Sequence, residues 1–182
     1  MLNLEIHTPE FDPVKGSSYI PLPDWILNKK AIVNIQNKDE KCFLWCVLRY
    51  LHPKEDNDTR LRDLKKYENS LNTEGINFPM KLKHIYKFEK LNPSLPGINV
   101  FSVSHNKKFY PLRMAEKDCQ NTIDFFFYEE DGVSHYSLIL NRLVKSQITL
   151  SKNGSVFICK KCFTHFTKYE LLQKTHFILF IE

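Results

Sequence analysis

Two cysteines, Cys42 and Cys46, lie one helical turn apart in "NKDEKCFLWCVLRYLHP". This segment reads as a helix that begins near Cys42 and is closed by Pro53. The start of a helix carries unpaired N–H groups and about half a positive charge, which favours a thiolate, the reactive form of cysteine. Cys42 holds that place; Cys46 lies deeper on the same face. Gln36 and Asn37, six and five residues upstream, can fold an amide back over the helix start. A developing oxyanion would need such a donor. The matching base would be a histidine. Of seven, His135 stands inside a strand pattern, "SHYSLIL". A rigid strand can hold an imidazole against a helix end without sequence proximity. The same residues have a plainer reading, since free cysteines are among the most buried residue types and a histidine in a strand is commonly structural.

The elements that would position this pair follow from periodicity. In the Cys42 helix, Phe43, Val47, Tyr50 and Leu51 fall on one stripe, with Leu44 and Leu48 beside it. Two more helices are expected, over 57–72 ("NDTRLRDLKKYENSLN") and 78–92 ("FPMKLKHIYKFEKLN"). "AIVNI" at 31–35 is a short strand-prone run. "INVFSV" (98–103) and "KFYPLRM" (108–114) form one expected hairpin around "SHNK". Residues 122–140 form another, turning at Glu130-Asp131-Gly132. Helices followed by an antiparallel sheet make an α+β domain. Residues 1–24, with four of the nine prolines, read as an extended and poorly ordered lead-in, 25–150 as the main domain and 151–182 as a separate C-terminal segment.

At 182 residues, 42% hydrophobic and 26% charged, the chain can build a full core, so disorder is not the default. Its net charge of +5 is spread along the chain, which permits nucleic-acid binding without demanding it. No apolar run reaches the roughly 18 residues of a membrane span. Five cysteines at uneven spacing do not look like a secreted disulfide framework. With no signal-peptide pattern, the expectation is an intracellular protein, cytoplasmic or nuclear, with reduced thiols and no membrane partner.

The Cys, the upstream amides and the "HY" pair together resemble papain-like cysteine proteases, and among them deubiquitinases. Papain-type and ubiquitin C-terminal hydrolase enzymes carry Gln six before the Cys, as Gln36 stands here. Ubiquitin-specific proteases carry Asn five before it, as Asn37 does, and follow their His with Tyr, as in His135-Tyr136. "CFLW" is similar to the Cys-Phe block of ovarian-tumour-type enzymes. A wider stretch, from "YIPLP" through "KCFLWCVLRYLHP", "DLKKYENSLN", "INVFSV" and "HYSLILNRL" to "FICKKC", resembles a domain of Polinton or Maverick-like mobile elements that precedes a protein-primed DNA polymerase. Taken together, the chain resembles the viral tegument-like deubiquitinases.

That resemblance implies a papain-like fold, ubiquitin or ubiquitin chains as partner, and hydrolysis after the terminal glycine of ubiquitin with no catalytic cofactor. It assigns Cys42 as nucleophile, His135 as base, and Gln36 or Asn37 as oxyanion donors. Trp45 and Tyr136 would wall a channel for the two glycines. Tegument-type enzymes place an Asp two before the His, where this chain has Val133. The third member is left among Asn141, Asp124 and Asp131, or the pair acts as a dyad. Asn141 would lie about 20 Å along a strand continued from His135, where it also reads as the N-cap of a short helix "RLVKS".

In the C-terminal segment, "CKKCFTHFTKYELLQKTH" resembles the first three ligands of a C2H2 zinc finger, Cys159, Cys162 and His176. A structural zinc there is the implied cofactor. No Cys or His follows His176, and His165 is too close to Cys162 to be the usual fourth ligand. The competing functional class is a non-catalytic, nucleic-acid-associated module of a mobile-element polyprotein.

Overall fold

The computed structural model describes residues 19–54, 59–107, 109–116, 122–140, 157–158, 165–166, 168 and 170–171. The chain is α+β, with a five-stranded open sheet covered on both faces. Its elements are α1 (Asp24–Leu27), β1 (Ile32–Val33), α2 (Cys42–Leu51), α3 (Ile85–Leu91), β2 (Gly97–Val103), β3 (Phe109–Arg113), β4 (Thr122–Glu130) and β5 (Val133–Ile139). A separate two-stranded ladder joins β6 (Phe157–Ile158) to β7 (His165–Phe166).

The strand order is β1-β5-β4-β2-β3. Both expected hairpins form. In the β4–β5 hairpin, Asp131 (φ 51°) and Gly132 (φ 75°) make a two-residue turn in which both centres are left-handed, the geometry that matches strand twist. The expectation of an antiparallel sheet is corrected at one seam, because β2 and β4 run parallel, with Asn99 opposite Asp124. β4 begins at the end of the sheet where β3 finishes. It pairs with the inner strand β2 instead of continuing the meander beside β3, so its direction matches β2. A buried clip marks the seam: Asn99 Nδ2 donates to Thr122 Oγ1 (2.9 Å) and to Asp124 Oδ1 (2.8 Å), while Asn99 Oδ1 accepts from the Ala115 N–H (2.8 Å).

The "FFF" of β4 is explained by burial on both sides, which removes the usual alternation of polar and apolar residues. Phe125 and Phe127 join the larger core with α2, α3, Tyr136 and Leu138; Phe126 joins a smaller one with Leu22, Ile26, Ala31, Phe101 and Ile139. α2 is apolar nearly all round, and its first eight residues are buried, as expected for a helix inside a core.

Two expectations about the helices change. The helix expected over 57–72 is realised only as a 3-10 turn, Lys65–Ser70, none of whose residues is buried. Polar "KKYENS" offers no apolar face to hold a longer helix. The helix expected over 78–92 is shorter, a 3-10 turn Leu82–His84 leading into α3. Of the lead-in expected over 1–24, residues 1–18 lie outside the described residues; Ile20 and Leu22 are buried, and α1 follows. No helix among the described residues is long and apolar enough to cross a membrane.

Candidate active site

Cys42 is the first residue of α2, preceded by a loop that Asp39 organises. The Asp39 carboxylate accepts from the Lys41 N–H (3.0 Å) and from Trp45 Nε1 (2.9 Å). It thereby ties the loop to the first turn of the helix. Asn37 Nδ2 donates to the Asp39 carbonyl (2.6 Å) and to its carboxylate (3.0 Å). Asn37 is buried; Gln36 is exposed and its N–H bonds the Thr59 carbonyl at 2.9 Å. Of the two amides expected over the helix end, Asn37's nitrogen is committed to the loop and Gln36's side chain faces solvent.

The feature that ties the helix to the sheet is a peptide group on β5. β1 lies beside Leu138 and Ile139, and the Leu140 N–H continues that edge by bonding the Ala31 carbonyl at 2.9 Å. Beyond Val33 the neighbouring strand is gone, so the next inward-facing peptide on that edge, Tyr136, needs other partners. Two thiols supply them. The Tyr136 N–H donates to Cys42 Sγ (3.5 Å), and Cys46 Sγ donates to the Tyr136 carbonyl (3.2 Å). The Tyr136 nitrogen follows the His135 carbonyl carbon directly, so Cys42 Sγ lies within about 6 Å of the His135 Cα.

His135 is fully buried and lies on the sheet face away from Tyr136. Across the strand pair it sits opposite Tyr128. The Tyr19 ring meets it edge-on, with centroids 6.4 Å apart. Two residues along the same face, Ser137 Oγ donates to Asn34 Oδ1 (3.0 Å), and Asn34 Nδ2 donates to the Ile20 carbonyl (2.8 Å). Asn34, Ser137, Tyr19 and Asp39 were not singled out by the sequence. The only available signal was Asn34, a polar residue inside the apolar run "AIVNI".

The third-member candidates are not gathered here. Asp124 is buried in the clip with Asn99 and Thr122, four residues along β4 from the position opposite His135, about 13 Å. Asp131 is exposed at the hairpin turn. Asn141 lies outside the described residues, as do Cys159, Cys162 and His176. Among the described residues no group of three or more His, Cys, Asp or Glu could hold a metal. Trp45 and Tyr136 are both buried, Trp45 on Asp39 and Tyr136 with its hydroxyl donating to the Met80 carbonyl (3.1 Å). A surface groove of 380 Å³, lined in part by Tyr86, Leu112 and Met114, lies at β3, three strands from β5.

Burial decides the protonation of Cys42. Loss of solvent is the largest influence and pushes the thiol up to about 12; the Tyr136 N–H and the helix-start N–H groups oppose it, and the Asp39 carboxylate adds to it. Cys46 is pushed up as well, first by burial and then by Cys42. Unfolded thiols ionise near pH 8.5, whereas these two keep their protons in the fold. Stability is therefore level below that pH and falls as pH rises toward 12 through Cys42, by about 1.4 kcal/mol per pH unit, with Cys46 acting in the same direction. Urea midpoints at about pH 8 and pH 10 should fall more steeply for the wild type than for Cys42→Ala; parallel slopes would refute the burial assignment.

No protein-family model, curated protein or solved structure matches this chain.

Proposed function

We propose that the chain is a cysteine-type hydrolase that cleaves after the C-terminal glycine of ubiquitin, with Cys42 as nucleophile and His135 as base. The observation that supports this reading is the bond from the Tyr136 N–H to Cys42 Sγ, which ties the sulfur at the start of a helix to the peptide next to His135. The resemblance to tegument-like deubiquitinases supplies the substrate class.

In this reading His135 removes the thiol proton, and the thiolate adds to the scissile carbonyl carbon. The oxyanion takes the Cys42 N–H, which no helix carbonyl claims at the first position, and Gln36 can swing in from its exposed loop. Collapse expels the lysine amine, protonated by the imidazolium, and leaves a thioester. Water, deprotonated by His135, then releases ubiquitin and restores the thiol.

The test is ubiquitin with an electrophile at its C-terminus, read by intact mass. A single adduct on the wild type, mapped to Cys42 and missing in Cys42→Ala, is the expected result. An adduct that persists in Cys42→Ala, or none on either protein, removes ubiquitin as the substrate.

A further inference from the structure

Both members of the pair are shut away: Cys42 is 1% exposed and His135 0%. A thiol so placed meets no polypeptide carbonyl, so the site must open. On the His135 side the site is met by a short segment, Tyr19–Leu22, ahead of α1. Its inner end is anchored, with Leu22 in the smaller core. Its other end makes two further contacts. The Tyr19 N–H donates to the Asn37 carbonyl (3.1 Å), on the loop that leads into Cys42. The Tyr19 ring leans edge-on against His135. Between them, the Ile20 carbonyl takes the Asn34 amide. The segment therefore touches the nucleophile's loop with its backbone and the base with its side chain. Tyr19 itself is 40% exposed and Ile20 is buried, so lifting the Tyr19 side chain gives up less buried surface than lifting Ile20 would.

We propose that Tyr19–Leu22 is an autoinhibitory strap, hinged at Leu22, whose outer end closes the approach to Cys42 and His135 and must swing away before the thiol can react. The strap places a backbone N–H on the Asn37 carbonyl, a contact that an extended substrate tail would make in its stead. Substrate and strap then compete for one carbonyl and for the space over one imidazole. In the closed state the buried thiol is protonated and unreactive; in the open state water and substrate reach it. This inference rests on reading Cys42 as the reactive thiol. It does not depend on ubiquitin being the substrate.

The test is the rate of Cys42 alkylation by iodoacetamide, a small neutral probe, resolved from other cysteines by peptide mapping. Tyr19→Gly removes the ring over His135, Tyr19→Phe keeps it, and Asn34→Ala releases the Ile20 carbonyl from beneath. Thermal unfolding confirms that each variant is folded, and the two loosening variants act at different points of the strap. Tyr19→Gly and Asn34→Ala should label Cys42 about tenfold faster, the scale of one lost aromatic edge contact or one lost hydrogen bond to a buried group. Tyr19→Phe should label like the wild type, and Cys46 should stay slow throughout. Unchanged labelling of Cys42 in both loosening variants overturns the strap. So does acceleration of Cys42 and Cys46 together, which would mean general loosening. Faster alkylation without a ubiquitin adduct upholds the strap while removing the proposed substrate.

Discussion

Replacing His135 by glutamine is expected to slow covalent capture at Cys42 by a factor of about 10² to 10⁴, the usual contribution of a positioned general base. Glutamine fills much of the imidazole's volume and keeps hydrogen-bonding capacity in a site that is fully buried, so the loss should not trace to a collapsed fold. A base that aids ionisation also leaves a mark that a packing residue cannot. With the strap loosened by Tyr19→Gly, alkylation of Cys42 should already be fast at neutral pH. When His135→Gln is added, the rate should rise only near pH 8.5, where an unassisted thiol ionises. Two pH profiles that superimpose would make His135 a structural residue and leave Cys42 without its base.

Truncating Phe43 to alanine should cost about 3–5 kcal/mol of stability. Phe43 is fully buried beside Cys42, and its ring is met edge-on by three others: Phe88 at 5.1 Å, Phe125 at 5.2 Å and Tyr136 at 5.6 Å. The loss combines the transfer of a large ring, the cavity it leaves and the edge contacts it makes. Against a typical total of about 5–15 kcal/mol, that is a large share. Urea unfolding should show a lower midpoint at an unchanged slope. A cost below about 1 kcal/mol would mean that α2 is not held on the sheet through this ring. The position matters for the site as well, since Phe43 pins the start of α2 against the strand that carries His135.

Proximity and exposure are separate matters at this site. Two thiols one turn apart take the N–H and the carbonyl of Tyr136 where β1 stops. The contact that holds Cys42 on the Tyr136 peptide therefore also completes the edge of the sheet. Cys42→Ala would remove an acceptor from a buried peptide as well as a nucleophile, and only the covalent probe separates the two effects. Cys46, which donates to the same peptide, has a structural task that accounts for it fully.

Local chemistry was legible in the sequence wherever neighbours along the chain decide the outcome. The helix that starts at Cys42, its end before Pro53, the turn at Asp131-Gly132 and the strands on either side of it all follow from periodicity and from residues that tolerate left-handed backbone. The pairing of Cys42 with the His135 strand was inferable as chemistry, because a helix-heading thiol and a strand histidine are the parts such a site needs. Tertiary structure alone decided the rest. The parallel seam between β2 and β4 depends on Asn99 meeting Asp124 and Thr122 across more than twenty residues, which no local pattern encodes. The stretch 57–72 has helical spacing of leucines and buries Leu64 in the core, yet its described residues form only the 3-10 turn Lys65–Ser70. Burial of Cys42 and His135, the committed amide of Asn37 and the contact of Tyr19 with His135 are set by which surfaces meet when segments distant in the chain pack on the sheet. A sequence lists groups that can react; solvent exclusion, which sets their protonation and access, exists only once distant segments pack.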